Sequence, residues 1–133
     1  MISMELKTND RVELIDITDV VQEAVKNSAV ENGICVISTR HTTTSIIVNE
    51  NESGLRSDIL SLLERFIPAD ADYSHDRIDN NADAHLKAVL LGSSQSIPIL
   101  CGRLLLGTWQ SVFFAEFDGP RNRSIEIMVL SQR

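Results

Sequence analysis

The chain has 133 residues, 43% hydrophobic and 23% charged, with a formal net charge of −7. A chain of this length buries about two-thirds of the surface its unfolded form exposes, so a packed core is expected and disorder is not. No apolar run reaches the ~20 residues of a membrane span, and the acidic balance argues against nucleic-acid binding, which needs cationic surface.

The first ten residues carry acid and lack a signal peptide's apolar stretch, so the expectation is a cytoplasmic protein built as one domain over residues 1–133. Met4–Lys7 and Val12–Ile15, either side of polar Thr8-Asn9-Asp10, read as a β-hairpin. Thr18 is placed to cap a helix from Asp19 to about Glu31, with Val21, Ala24, Val25 and Ala29 on one face and Asn32-Gly33 closing it. Gly33–Thr39 is rich in β-formers and runs directly into His41–Val48; the length calls for two strands, or one bent near Arg40.

A second helix is expected from about Glu52-Ser53 to Pro68, with Leu55, Ile59, Leu62, Leu63 and Phe66 at helical spacing. Ala69–Asn81 reads as a long polar loop. A third helix over Ala82–Leu91, ended by Gly92, is expected to put Leu86, Val89 and Leu90 on the core. Strands follow at Ser96–Leu100, Arg103–Leu105, Gln110–Phe117 and Ser124–Leu130, the last two separated by an Asp118-Gly119-Pro120 turn signal. Strands and helices do not alternate regularly, which favours an α+β fold: a mostly antiparallel, sandwich-like core with about three helices against it. Cys35 and Cys101 both lie in apolar runs and read as small buried hydrophobes.

Several polar groups stand out. His41, His75 and His85 with a carboxylate could supply the three or four donors of a zinc site, although their spacing matches no metal motif and ordinary hydrogen bonding is the alternative. His41-Thr42-Thr43-Thr44-Ser45 presents hydroxyls on a strand, and Asn49-Glu50 falls just before a helix N-terminus. Gly107-Thr108-Trp109-Gln110 sets the only tryptophan between a turn glycine and a strand, where it could stack on a planar heterocycle or simply fill the core. Glu116 shares a strand face with Val112 and Phe114; if buried, it needs a partner such as Arg103, Lys87 or a metal. Arg121 and Arg123 suit phosphate geometry, with a solvated turn as the alternative.

His85-Leu86-Lys87-Ala88 with Leu91-Gly92, then Pro98-Ile99 and Gly102-Arg103-Leu104 leading into Leu106-Gly107-Thr108-Trp109-Gln110, resembles the signature region of the YjbQ-like, secondary thiamine-phosphate synthase family. His41-Thr42-Thr43, Asn49-Glu50-Asn51, Tyr73 with His75-Asp76, Glu116 and the turn at 118–121 are similar to the remaining motifs in the same order. The resemblance implies a compact α+β fold, a homotrimer, and an enzyme with weak thiamine-phosphate synthase activity, in which a pyrimidine pyrophosphate and a thiazole phosphate join and pyrophosphate leaves. Such a reaction calls for a divalent cation (zinc or magnesium), basic groups for the leaving phosphates and an aromatic wall.

On that reading His41, His85 and Glu116 are the catalytic candidates, and His41, His75 and His85 the metal candidates. Thr43, Asn49, Glu50, Lys87, Arg103, Thr108, Trp109, Gln110 and Arg121 are the substrate-binding candidates, and a small phosphorylated molecule is the expected ligand. In a trimer the motifs could meet across a subunit boundary. The competing readings are a zinc enzyme of another reaction and a non-catalytic ligand-binding trimer.

Overall fold

A strand that is apolar on both faces must be covered on both sides. Val112, Phe113, Phe114 and Ala115 form such a run, and the computed structural model, which describes residues 1–133, buries all four completely. The elements in chain order are β1 (Ile2–Lys7), β2 (Glu13–Asp16), α1 (Thr18–Ser28), β3 (Gly33–Ser38), β4 (Thr44–Glu50), α2 (Ser53–Phe66), α3 (Ala82–Leu91), β5 (Ser94–Leu100), β6 (Arg103–Leu104), β7 (Gln110–Glu116) and β8 (Asn122–Ser131), with a 3-10 turn at Ser74–Arg77. One sheet has the order β1-β8-β3-β5-β6 and the other β2-β7-β4. Every pairing is antiparallel. The fold is α+β with a sandwich-like core.

Parity along the strands builds two cores. Ile46, Val112 and Phe114 of the small sheet meet Cys35, Ile37, Ile97, Ile99, Ile125 and Ile127 of the large one, with Val21, Ala24 and Val25 of α1 in the same cluster. On the other face of the small sheet, Leu14, Phe113, Ala115 and Phe117 pack with Leu63 of α2 and with Ala84 and Ala88 of α3.

Five expectations are corrected. β1 and β2 do not form a hairpin: β1 pairs with β8 and β2 with β7, in different sheets. The segment between them crosses from sheet to sheet, tied by the Thr8 amide to the Arg121 carbonyl (2.9 Å) and the Gly119 amide to the Arg11 carbonyl (3.0 Å). Helix α1 stops at Ser28, because Ala29 turns left-handed at φ +60°, and Thr18 does not cap it. Instead the Asp16 carboxylate accepts from the Thr18 amide (2.9 Å), while the Thr18 hydroxyl accepts from the Val112 amide (2.8 Å).

In α2 only Leu63 is fully buried, and Leu62 and Phe66 are exposed. In α3 the predicted core face is reversed: Leu86, Val89 and Leu90 face outward, and Ala82, Asp83, Ala84, Lys87 and Ala88 face inward. Small alanines let the helix approach the sheet closely, and the ions it buries satisfy one another. Cys101, placed left-handed at φ +51° in the β5–β6 turn, is exposed, whereas Cys35 is buried as expected. The run from Gly33 to Val48 divides into two strands, β3 and β4, as its length called for, and they belong to opposite sheets.

Candidate functional site

The break between β3 and β4 leaves residues 39–43 as a connection at one end of the sandwich, where the turn between β7 and β8 also lies. Around it is a cavity of about 410 Å³ with no hydrophobic lining residue. Its walls come from Arg40, His41, Thr42 and Thr43, from Asp79, Asn81 and His85 at the start of α3, and from Asp118, Arg121 and Arg123.

Beneath the cavity lies Glu116. Its strand parity points it between the sheets, and Arg123, at the same parity as Ile125 and Ile127, points in to meet it. The Arg123 Nε donates to both Glu116 oxygens (3.1 and 2.8 Å) and its terminal nitrogen to Oε1 (2.7 Å) and to the Thr43 hydroxyl (2.9 Å). Glu116 is fully buried. Burial pushes its carboxyl above the ordinary range, and Arg123 pulls in the opposite direction. The partner of Glu116 is therefore Arg123, not the expected Arg103, Lys87 or metal. Glu116 cannot touch a ligand in the cavity; it aims the arginine that can.

The only buried side-chain polar atom without a partner is Ser45 Oγ. The remaining terminal nitrogen of Arg123 makes no hydrogen bond within the chain, and Arg123 is among the residues that line the cavity. Arg121 donates through Nε to the Asp118 carbonyl (2.8 Å) and through one terminal nitrogen to the Asp118 carboxylate (3.1 Å), leaving its other terminal nitrogen free. Arg40 uses only Nε, on Glu126 at 3.0 Å. Three guanidinium groups thus keep unspent donors in one polar space.

The histidines are brought close together, but not as a ligand set. His41 Nε2 accepts from the Ser124 amide at 3.0 Å. Burial, then the nearby Arg123 charge, hold its pKa below the ordinary value, which keeps the ring neutral and that nitrogen an acceptor. His75 and His85 stack edge to face with ring centres 4.8 Å apart. Asn81 donates to the Asp118 carboxylate (2.8 Å), so its carbonyl oxygen must accept from His75 Nε2 at 3.1 Å. His75 consequently holds Asn81, and Asn81 holds Asp118, beside His85. No group of three or more histidine, cysteine, aspartate or glutamate side chains converges in metal-binding geometry. His41 spends the lone pair of Nε2 on the Ser124 amide, whereas His75, donating through Nε2, keeps Nδ1 as an acceptor. Asp76, the other half of the expected Tyr73–Asp76 motif, accepts from the Ala82 amide (3.0 Å) at the start of α3.

The remaining candidates lie elsewhere. Lys87 is 1% exposed and donates to Glu64 (2.9 Å) and Asp83 (3.1 Å), while Asp83 also binds Arg11 at 3.1 Å. It ties α3 to α2 and to the β1–β2 connection, and no nitrogen is left for a substrate phosphate at this site. Asn49, Glu50, Thr108, Trp109 and Gln110 sit at the opposite end of β4 and β7: Glu50 pairs with Gln110, whereas Thr44 pairs with Glu116. Six residues of strand separate the two ends, roughly 20 Å. Gln110 Oε1 accepts from the Gly107 amide (2.8 Å) and so closes its own turn, and Arg103 is exposed on β6. Of the expected site, one chain assembles His41, Thr43, His85 and Arg121 at the cavity, with His75 and Glu116 just behind. Arg40, Thr42, Asp79, Asn81, Asp118 and Arg123 join them. Arg123 was legible as a charge at core parity, and Arg40 only as the neighbour of His41.

The model of the family described as "UPF0047 protein YjbQ-like" matches residues 2–132. The chain belongs to this YjbQ-like UPF0047 family. A UPF0047 protein of Methanothermobacter thermautotrophicus is 56% identical over 126 residues, covering 95% of this chain and 88% of that one. The UPF0047 protein YugU of Bacillus subtilis is 35% identical over 129 residues, covering 96% and 97%. Among solved structures, a protein of unknown function from Sulfolobus solfataricus superposes with a TM-score of 0.96 at 41% identity, covering 98% of this chain and 95% of that one. An uncharacterised YjbQ/UPF0047 protein of Clostridium acetobutylicum gives 0.94 at 44% identity, covering 98% and 100%. None of these names carries an activity. The family resemblance and the α+β architecture are established, and no helix is long and apolar enough to cross a membrane.

Proposed function

We propose that this YjbQ-like chain is a small-molecule enzyme that takes a phosphorylated substrate at the cavity between His41, His85, Arg121 and Arg123. The observation that carries the reading is the set of unspent guanidinium donors of Arg40, Arg121 and Arg123 around a cavity with no apolar lining, in a chain whose net charge is −7. Guanidinium forks match phosphate oxygens in pairs, and donors held in place by Glu116 and Asp118 need little reorganisation to bind them. His85, at the cavity wall, is positioned as the proton donor or acceptor for a leaving or attacking group. His41 serves as a neutral wall rather than a base, because Ser124 occupies its lone pair.

The reaction best matched to the family resemblance is pyrophosphate displacement of the thiamine-phosphate synthase type. The carbon–oxygen bond to pyrophosphate breaks, the thiazole nitrogen takes that carbon, and the electron pair leaves on pyrophosphate. Arg121 and Arg123 would hold the departing charge. No three histidine, cysteine or carboxylate side chains of one chain converge on a point, and no step is routed through a metal.

The test measures product from the two precursors with wild-type protein, His85→Ala and Arg121→Ala, alongside calorimetric binding of inorganic pyrophosphate. Loss of a fixed phosphate contact should lower turnover by about 100-fold. Equal rates in all three proteins would assign the activity elsewhere and refute the site. Pyrophosphate binding that depends on Arg121, without turnover, would favour the non-catalytic reading.

A further inference from the structure

The polar cavity has no apolar wall of its own, but a second pocket adjoins it. The 3-10 turn at Ser74–Arg77 is held against the start of α3 by the Asp76 carboxylate, which accepts from the Ala82 amide at 3.0 Å. Just before the turn, the Tyr73 hydroxyl donates to the Pro68 carbonyl (2.8 Å), which fixes one end of its ring. On α3, Ala82, His85 and Leu86 share a face at i, i+3 and i+4. Together these elements enclose about 250 Å³, lined by Tyr73, Ser74, His75, Ala82, His85 and Leu86.

Three of those six side chains are rings, with His75 edge-on to His85 at 4.8 Å between centres, and none is a carboxylate. Leu86 is 42% exposed and belongs to neither core, yet it borders this pocket. His85 lines both spaces, so the pocket opens beside the cavity where Arg121 and Arg123 keep free donors. Size narrows the occupant. A cavity of about 150 Å³ holds one benzene ring, and sites for larger organic ligands start near about 300 Å³. The pocket lies between the two and has room for one substituted ring.

We propose that the pocket between Tyr73, His75, His85 and Leu86 is a ring subsite: it takes a single aromatic ring whose attached phosphate lies in the adjoining polar cavity. The ligand class is then a monocyclic aryl or heteroaryl phosphate, in preference to an aliphatic one. The place of the phosphate rests on the function proposed above; the place of the ring is additional to it.

Benzyl phosphate and ethyl phosphate carry the same charged group and differ in the ring. In calorimetric titration the wild-type protein should bind benzyl phosphate about tenfold more tightly, the scale of one aromatic contact. Leu86→Ser and Tyr73→Ala, both outside the two cores, should each cut that preference to about threefold or less and leave ethyl phosphate binding as in wild type. Arg121→Ala should weaken both esters alike. Tyr73 is the only tyrosine, so protein grown with 3-fluorotyrosine gives one fluorine resonance that reports the pocket. Benzyl phosphate should shift it and ethyl phosphate should not.

Equal affinity of wild type for the two esters, or a fluorine resonance that benzyl phosphate leaves in place, overturns the ring subsite while the phosphate reading stands. A preference that survives both Leu86→Ser and Tyr73→Ala puts the ring elsewhere and overturns it as well. Binding of neither ester by wild type, or ester binding that Arg121→Ala leaves unchanged, overturns the phosphate reading and with it the joined ligand.

Discussion

Replacing Arg123 by methionine tests the central electrostatic argument. The substitution keeps the bulk of the side chain and removes every hydrogen bond that Glu116 receives, three contacts of 2.7 to 3.1 Å, together with the one to Thr43. Glu116 has no exposed surface, so water cannot take the place of the guanidinium. Breaking a buried pair from one side costs about 3–5 kcal/mol. With a slope near 2 kcal/mol per molar, the urea midpoint should fall by roughly 2 M at neutral pH.

The pH dependence has a definite sign. Burial already raises the Glu116 carboxyl, and without Arg123 it rises further. A raised folded-state carboxyl contributes stability below its unfolded value and loses it as pH rises through the folded value. Arg123→Met should therefore be damaged most near pH 8 and recover part of its deficit near pH 5, and Glu116→Gln in the Arg123→Met background should restore stability at pH 8. Urea unfolding at fixed protein concentration measures all three proteins. A loss below about 1 kcal/mol for Arg123→Met, or a double variant worse than the single one at pH 8, would refute the buried-pair account.

Lys87→Met should destabilise the fold by about 3 kcal/mol by leaving Asp83 half-partnered, with pyrophosphate affinity unchanged in the folded fraction; intact stability with lost affinity would return Lys87 to the ligand site. Because His41 is held below its ordinary value, the unfolded chain binds more protons on acidification. Stability should accordingly be full above about pH 6.5 and fall as pH drops through the window between the unfolded and folded values. His41→Gln should flatten that part of the urea-midpoint profile, and an unchanged slope would count against burial and the Arg123 charge at His41 as its cause. Gly119→Ala would drive a methyl group against the Asp10 carbonyl and within 2.8 Å of both Glu116 Oε1 and Thr8 Oγ1, so a loss of about 2 kcal/mol or more in thermal or urea unfolding is expected.

Local chemistry determined much of this molecule. Runs of β-forming residues placed β3, β4, β5, β7 and β8, and the length of Gly33–Val48 called for two strands or a bend near Arg40. Parity put Glu116 on the same face as Val112 and Phe114 but left open whether that end of the strand is buried or solvated; the structure buries it. The histidine–threonine segment and the 118–123 turn were visible as polar exceptions in an apolar pattern, and they do border the cavity.

Tertiary packing decided the rest. Except for β5 and β6, successive strands alternate between sheets, so adjacency in sequence misled at β1 and β2, whose true partners are β8 and β7 at the far end of the chain. Helical periodicity could not choose the inward face of α3, since a buried Lys87–Asp83 pair, joined by the part-exposed Arg11, outweighed leucines that remain exposed. The GTWQ segment and the histidines share a chain and a family signature, but strand length separates them within the molecule. Spacing along a sequence records which residues exist, while distance in the fold follows from which strands pair.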